Sequence, residues 1–151
     1  MLGLSKECVM RNNLVAKAST TIKASPAVVW DALINPESIK KYMFGTNVTT
    51  NWREGSPIYW KGEWKGKAYE DKGIVLHFRP PHNLEYSHYS PLSGQPDVPA
   101  NYHTVTIELK ENGDGTHVSL KQDNNPNEEA CEHSQKNWET MLKGLKQYVE
   151  Q

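Results

Sequence analysis

Apolar residues recur every three to four positions from Cys131 through Trp138, Met141, Leu142, Leu145 and Tyr148 to Val149, whereas the segments before them alternate apolar and polar residues. The first spacing puts side chains on one face of a helix, the second on one face of a strand. Residues 128 to 151 therefore read as one long C-terminal helix, with Gln135 alone interrupting its apolar stripe. Asn125, Pro126, Asn127 and Glu128 supply a cap, a first-turn proline and a carboxylate to start it, and Lys143 and Lys146 suit its negative end.

Upstream, Val15 to Ile22 reads as the first strand. Ser25 followed by Pro26 is a capping residue before a proline at the first helical position, and it opens a helix to about Ile34. Asn35, Pro36 and Glu37 repeat that punctuation and open a second short helix to about Tyr42, after which 46–50 is β-branched enough for a strand. From Pro57 a meander follows. Ile58, Trp60 and Trp64 share one phase, Lys65 to Lys67 make a turn, and Ile74, Leu76 and Phe78 point one way with His77 and Arg79 opposite, until Pro80 and Pro81 end the ladder. Leu84, Tyr86 and His88 share the next apolar phase. Ser90 to Asn101, with three prolines and a glycine, is a long loop. His103, Val105, Ile107 and Leu109 then alternate up to a hairpin turn at 112–115, before Val118 and Leu120. The pattern predicts an α+β domain over 15–151: a curved antiparallel sheet of about six or seven strands around one long helix, two short helices after the first strand, and 1–14 as an N-terminal extension.

Three stretches carry a family resemblance: Ser25 to Gly45 (SPAVVWDALINPESIKKYMFG), Trp60 to Leu76 (WKGEWKGKAYEDKGIVL) and Asn137 to Tyr148 (NWETMLKGLKQY). The chain resembles the bacterial single-domain relatives of the activator of the ninety-kilodalton heat-shock chaperone ATPase, within the START-like (SRPBCC, birch-pollen-allergen-like) superfamily. The resemblance implies the helix-grip fold, with a cleft between sheet and helix. It further implies a small binding protein that holds an apolar or amphipathic molecule there. Two alternatives share the scaffold: a chaperone-associated interaction module of the stress response, and a cyclase or dehydratase type of enzyme in the same cleft.

Such a cleft needs walls, and Trp30, Trp60, Phe78, Tyr86 and Trp138 supply large apolar faces from different elements, with Val105 and Met141 between them. His88 and His103 lie in the apolar phase of consecutive strands. If Tyr86 pairs near Val105, the same register sets the two imidazoles opposite each other, where they would bind a polar head group or an anion, or act as acid and base with Tyr86 as a proton donor. Zinc needs three or four ligands, so the pair is incomplete as a metal site, and no motif calls for a cofactor. Glu70 and Asp71 are adjacent in a strand and point to opposite faces, which rules them out as a shared acid and base site. Lys40, Lys41, Lys61, Lys65 and Lys67 are interleaved with acidic residues and read as solvated surface.

Seventeen Lys and Arg against eighteen Asp and Glu give a net charge of −1, which argues against nucleic acid as a partner. A chain of 151 residues buries roughly 68 to 70% of its unfolded surface without staples. Cys8 and Cys131 are accordingly expected as reduced thiols. No stretch reaches the ~20 apolar residues that span a bilayer, and the first residues lack the apolar core of a secretory signal, so the expected location is the cytoplasm, away from membranes.

Overall fold

A computed structural model describes residues 14–151. Its elements are β1 (Leu14–Ile22), α1 (Pro26–Ile34), α2 (Pro36–Tyr42), β2 (Asn47–Thr49), β3 (Pro57–Trp64), β4 (Lys67–Arg79), β5 (Asn83–His88), β6 (His103–Asn112), β7 (Gly115–Asn125) and α3 (Glu128–Val149). The strands form one antiparallel sheet in the order β1-β7-β6-β5-β4-β3-β2. This is the helix-grip arrangement that the pattern predicted. Of the expected extension 1–14, Leu14 opens β1 and the rest, with Cys8, lies outside the described residues.

The helix starts follow their local chemistry. Ser25 Oγ accepts from the Val28 amide, Asn35 Oδ1 from Glu37 and Asn127 Oδ1 from Ala130, which satisfies an otherwise unpaired first-turn amide in each helix. The stripe of α3 buries Met141, Leu142 and Leu145 against a core of Ile22, Val29, Leu33, Leu84, Val105, Ile107 and Val118.

α3 also guards the open edge of β1. Its Gln135 accepts from the Lys17 amide, Lys146 Nζ donates to the Thr21 carbonyl, and Glu150, just past the helix, accepts from the Lys23 amide. An unpaired strand edge is a template for unwanted pairing, and these side chains occupy its backbone groups. The polar interruption of the stripe therefore has a task.

Two readings need correction. In β4 the core face holds Gly73 and Val75, while Ile74 and Leu76 are exposed. The ladder to β5 slips between Val75↔Tyr86 and His77↔Glu85, and this extra residue reverses the phase so that Phe78 returns to the inner side. Period-two alternation cannot register such a bulge. Trp64 keeps the phase of Trp60 yet is 54% exposed, because the hairpin projects past the core. Cys131, expected as a reduced thiol, is buried and disulfide-bonded.

Candidate functional site

The predicted register holds: Tyr86 pairs with Val105 and His88 with His103, so both imidazoles stand on the inner face at one end of the strands. Their rings stack at 6.3 Å between centroids. Trp60 meets the His88 ring edge-on at 5.0 Å and the Tyr86 ring at 5.1 Å. Met141 is buried in the same core, and the half-buried Trp138 donates from Nε1 to Gln122 Oε1 at 2.5 Å, beside Val105 in the β6–β7 register. Trp30 and Phe78 lie together elsewhere, 5.4 Å apart, with Trp52 stacked on Phe78 at 5.7 Å.

Sequence reasoning missed the third polar member. Asp71 Oδ2 accepts from His88 Nε2 at 2.9 Å, with side chains 16% and 27% exposed respectively. The signal was present in the turn: pairing Trp64 with Lys67 around Lys65 and Gly66 fixes Trp60 opposite Asp71, on the same face. Asp71 and Glu70 do point to opposite faces, and Asp71 is the inward one. Its other oxygen, Oδ1, is buried and has no hydrogen-bond partner among the described residues; the same holds for Trp30 Nε1 and Glu132 Oε2. Burying a polar atom unpaired costs on the order of 1 to 3 kcal/mol, so such atoms mark places where a partner is wanted.

His103 Nδ1 faces the Asp123 carbonyl at 2.9 Å. Burial holds its pKa below the ordinary 6.5, with the hydrogen bond to Asp123 opposing and His88 adding to the depression. The unfolded chain therefore takes up this proton first as pH falls. The stabilisation is fully present above about pH 6.5 and is lost as pH drops from there through the folded value. Urea unfolding of His103→Asn, whose amide keeps a donor for Asp123, should show a shallower loss of stability between about pH 7 and pH 5 than the native chain. Burial pushes the Tyr86 hydroxyl up, so it stays protonated at neutral pH.

The 90–101 loop joins β5 to β6 at the end that carries His88 and His103, and its side-chain contacts run to the outer face of the sheet. It forms two short 3-10 turns, Pro91–Ser93 and Pro99–Asn101. Lys72 pairs with Asp97, Tyr102 donates to Asp97 Oδ1 at 2.6 Å, and Tyr89 stacks on Tyr102 and donates to the Gln95 carbonyl. Lys72, Tyr89 and Tyr102 each follow or precede an inward residue (Asp71, His88, His103) by one position, so they project from the opposite side of the sheet.

Two grooves, of about 520 and 410 Å³, also lie outside the cleft. The larger crosses β1, β7 and β6 at Lys17, Ser19, Thr106, His117 and Ser119, all of which flank buried neighbours in their strands. Inside, Trp60, Tyr86, His88 and His103 form a chain of ring contacts, and Asp71, His88 and His103 are each partly exposed. Among the described residues, no three His, Cys, Asp or Glu side chains converge as metal ligands, and no helix is long and apolar enough to cross a membrane.

The sequence profile described as Activator of Hsp90 ATPase homolog 1-like protein matches residues 23–150. The chain belongs to this family. No curated protein matches it significantly. Among solved structures, a protein of Cytophaga hutchinsonii is 56% identical, with 93% of this chain and 97% of that one covered and a TM-score of 0.81. The protein CalU16 of Micromonospora echinospora is 21% identical over 91% and 85% of the two chains, with a TM-score of 0.70. The Aha1 dimer of Colwellia psychrerythraea is 20% identical over 91% and 96%, also with a TM-score of 0.70. The last two show the shared fold alone. Membership in the Activator of Hsp90 ATPase homolog 1-like family accounts for the order of elements, and it leaves the inner-face polar cluster to be read from its own chemistry.

Proposed function

We propose that the chain is a small-molecule binding protein that takes an amphipathic ligand at the solvent-reached end of the inner face. The apolar body packs beside Trp60, Tyr86, Val105, Trp138 and Met141, and the polar head meets Asp71, His88 and His103. Trp30 and Phe78 pack with Trp52, away from this cluster. The observation that carries this reading is the buried Asp71 Oδ1, held in place through its sister oxygen yet left without a donor. A purely structural hydrogen bond has no need to leave such an atom in an aromatic niche. Because the walls touch, binding involves side chains moving apart, at a cost that lowers affinity.

Nile red, which brightens in apolar surroundings, should gain emission on titration with the protein and lose it on addition of 1-naphthylmethanol. An unchanged aqueous spectrum at every protein concentration would sink the proposal.

A second reading, a protein-interaction module, is favoured by the exposed pair Phe44 and Trp64, 68% and 54% exposed with rings 6.2 Å apart. Stimulation of a chaperone ATPase that is abolished by Trp64→Ala would support it; unaltered turnover would remove it. As to location, the disulfide at Cys131 is of a kind that persists in oxidising compartments, which bears against the expected cytoplasmic location.

A further inference from the structure

The hydrogen-bond directions at the inner-face cluster fix what its head group can be. A carboxylate only accepts, so His88 Nε2 carries the proton shared with Asp71 Oδ2. A carbonyl also only accepts, so His103 Nδ1 carries the proton directed at Asp123, and in the neutral ring its Nε2 is an acceptor. Burial keeps the His103 ring neutral near pH 7. Asp71 Oδ1 is buried and has no hydrogen-bond partner among the described residues. Asp71 Oδ1 and His103 Nε2 are thus the acceptors of the cluster, with the carboxylate charge beside the His88 ring and the Trp60 and Tyr86 rings next to it.

We infer that the cluster of Asp71, His88 and His103 recognises a hydrogen-bond donor, above all a protonated amine on an aromatic or alkyl body, and rejects anionic head groups. This rests on the binding reading above and narrows it. It also replaces the sequence expectation of an anion, which considered the imidazoles without the carboxylate. An ammonium donates to Asp71 Oδ1, neutralises the carboxylate and lies against aromatic rings that favour cations. A carboxylate head would meet acceptor lone pairs and a like charge.

The test uses one ring with three heads: 1-naphthylmethylamine, 1-naphthylmethanol and 1-naphthoate, titrated at about pH 7.5 and followed by NMR of the Trp60 indole and the imidazoles. The native chain should bind the amine about tenfold or more tighter than the naphthoate, with the alcohol between them. Asp71→Asn keeps a carbonyl to accept from His88 and turns the orphan acceptor into a donor. It should weaken the amine about tenfold, strengthen the naphthoate and leave the alcohol within about threefold. Naphthoate binding as tightly as the amine, or a ranking untouched by Asp71→Asn, overturns the inference while alcohol binding keeps the general reading standing. Failure of all three probes to bind removes both.

Discussion

Replacing Gly73 by alanine should cost about 3 kcal/mol of folding stability, and valine should prevent recovery of folded protein. A Cβ at this position would lie 1.7 Å from the Ser87 carbonyl oxygen and 2.6 Å from its carbon, both backbone atoms that cannot rotate aside. The backbone there is pinned on both sides: Lys72 and Tyr89 exchange amide hydrogen bonds at 3.0 and 2.8 Å, and the Ile74 amide donates to Ser87 Oγ at 2.9 Å. β4 is the strand that joins β3 to β5, so pushing Ser87 away parts the sheet and displaces His88 with it. Gly94, in a left-handed conformation with open space around it, provides the contrast. There alanine should cost only about 1 kcal/mol, the strain of the backbone alone. Urea midpoints of the two variants decide the point, and equal losses would contradict the close approach at Gly73.

Trp60→Ala should cost about 3 to 5 kcal/mol, and Trp138→Ala clearly less. Trp60 is buried and its ring touches both Tyr86 and His88, so its removal leaves a hole lined by rings that cannot collapse together. Trp138 is half-buried on α3, and its loss gives up mainly the hydrogen bond to Gln122 and part of its packing. The hole should also admit Nile red more readily than the native interior does, so stability and uptake move in opposite directions. Similar costs for the two tryptophans, or no gain in uptake for Trp60→Ala, would show that Trp60 is an ordinary core residue.

Much of the fold was legible because its elements rest on local signals. Prolines after Ser25 and Asn35 mark the short helices, the 3.6 period marks α3, and the Trp64 to Lys67 turn and the 112–115 turn set strand registers. The pairing of His88 with His103 was readable for the same reason, since it follows from alternation around a single known neighbour. What escaped is non-local. The bulge at Val75 and His77 arises where β4 leaves β3 for β5, and no period-two pattern encodes a change of partner. Asp71 was set aside beside Glu70 because its partner, His88, lies seventeen residues on, across a strand junction that only the folded chain assembles. The contacts of the 90–101 loop with the outer face depend on Lys72, Tyr89 and Tyr102, whose roles appear once each is seen to alternate with a member of the inner cluster.

The central claim is that a small molecule occupies the inner face beside Asp71, and NMR mapping of 1-naphthylmethanol tests it most directly. Binding should shift the side-chain signals of His88, His103, Trp60 and Trp138 together, with one dissociation constant, and leave Ser19, His117 and Ser119 in the outer groove unmoved. Shifts confined to those outer residues, or no saturable shift anywhere, would contradict it.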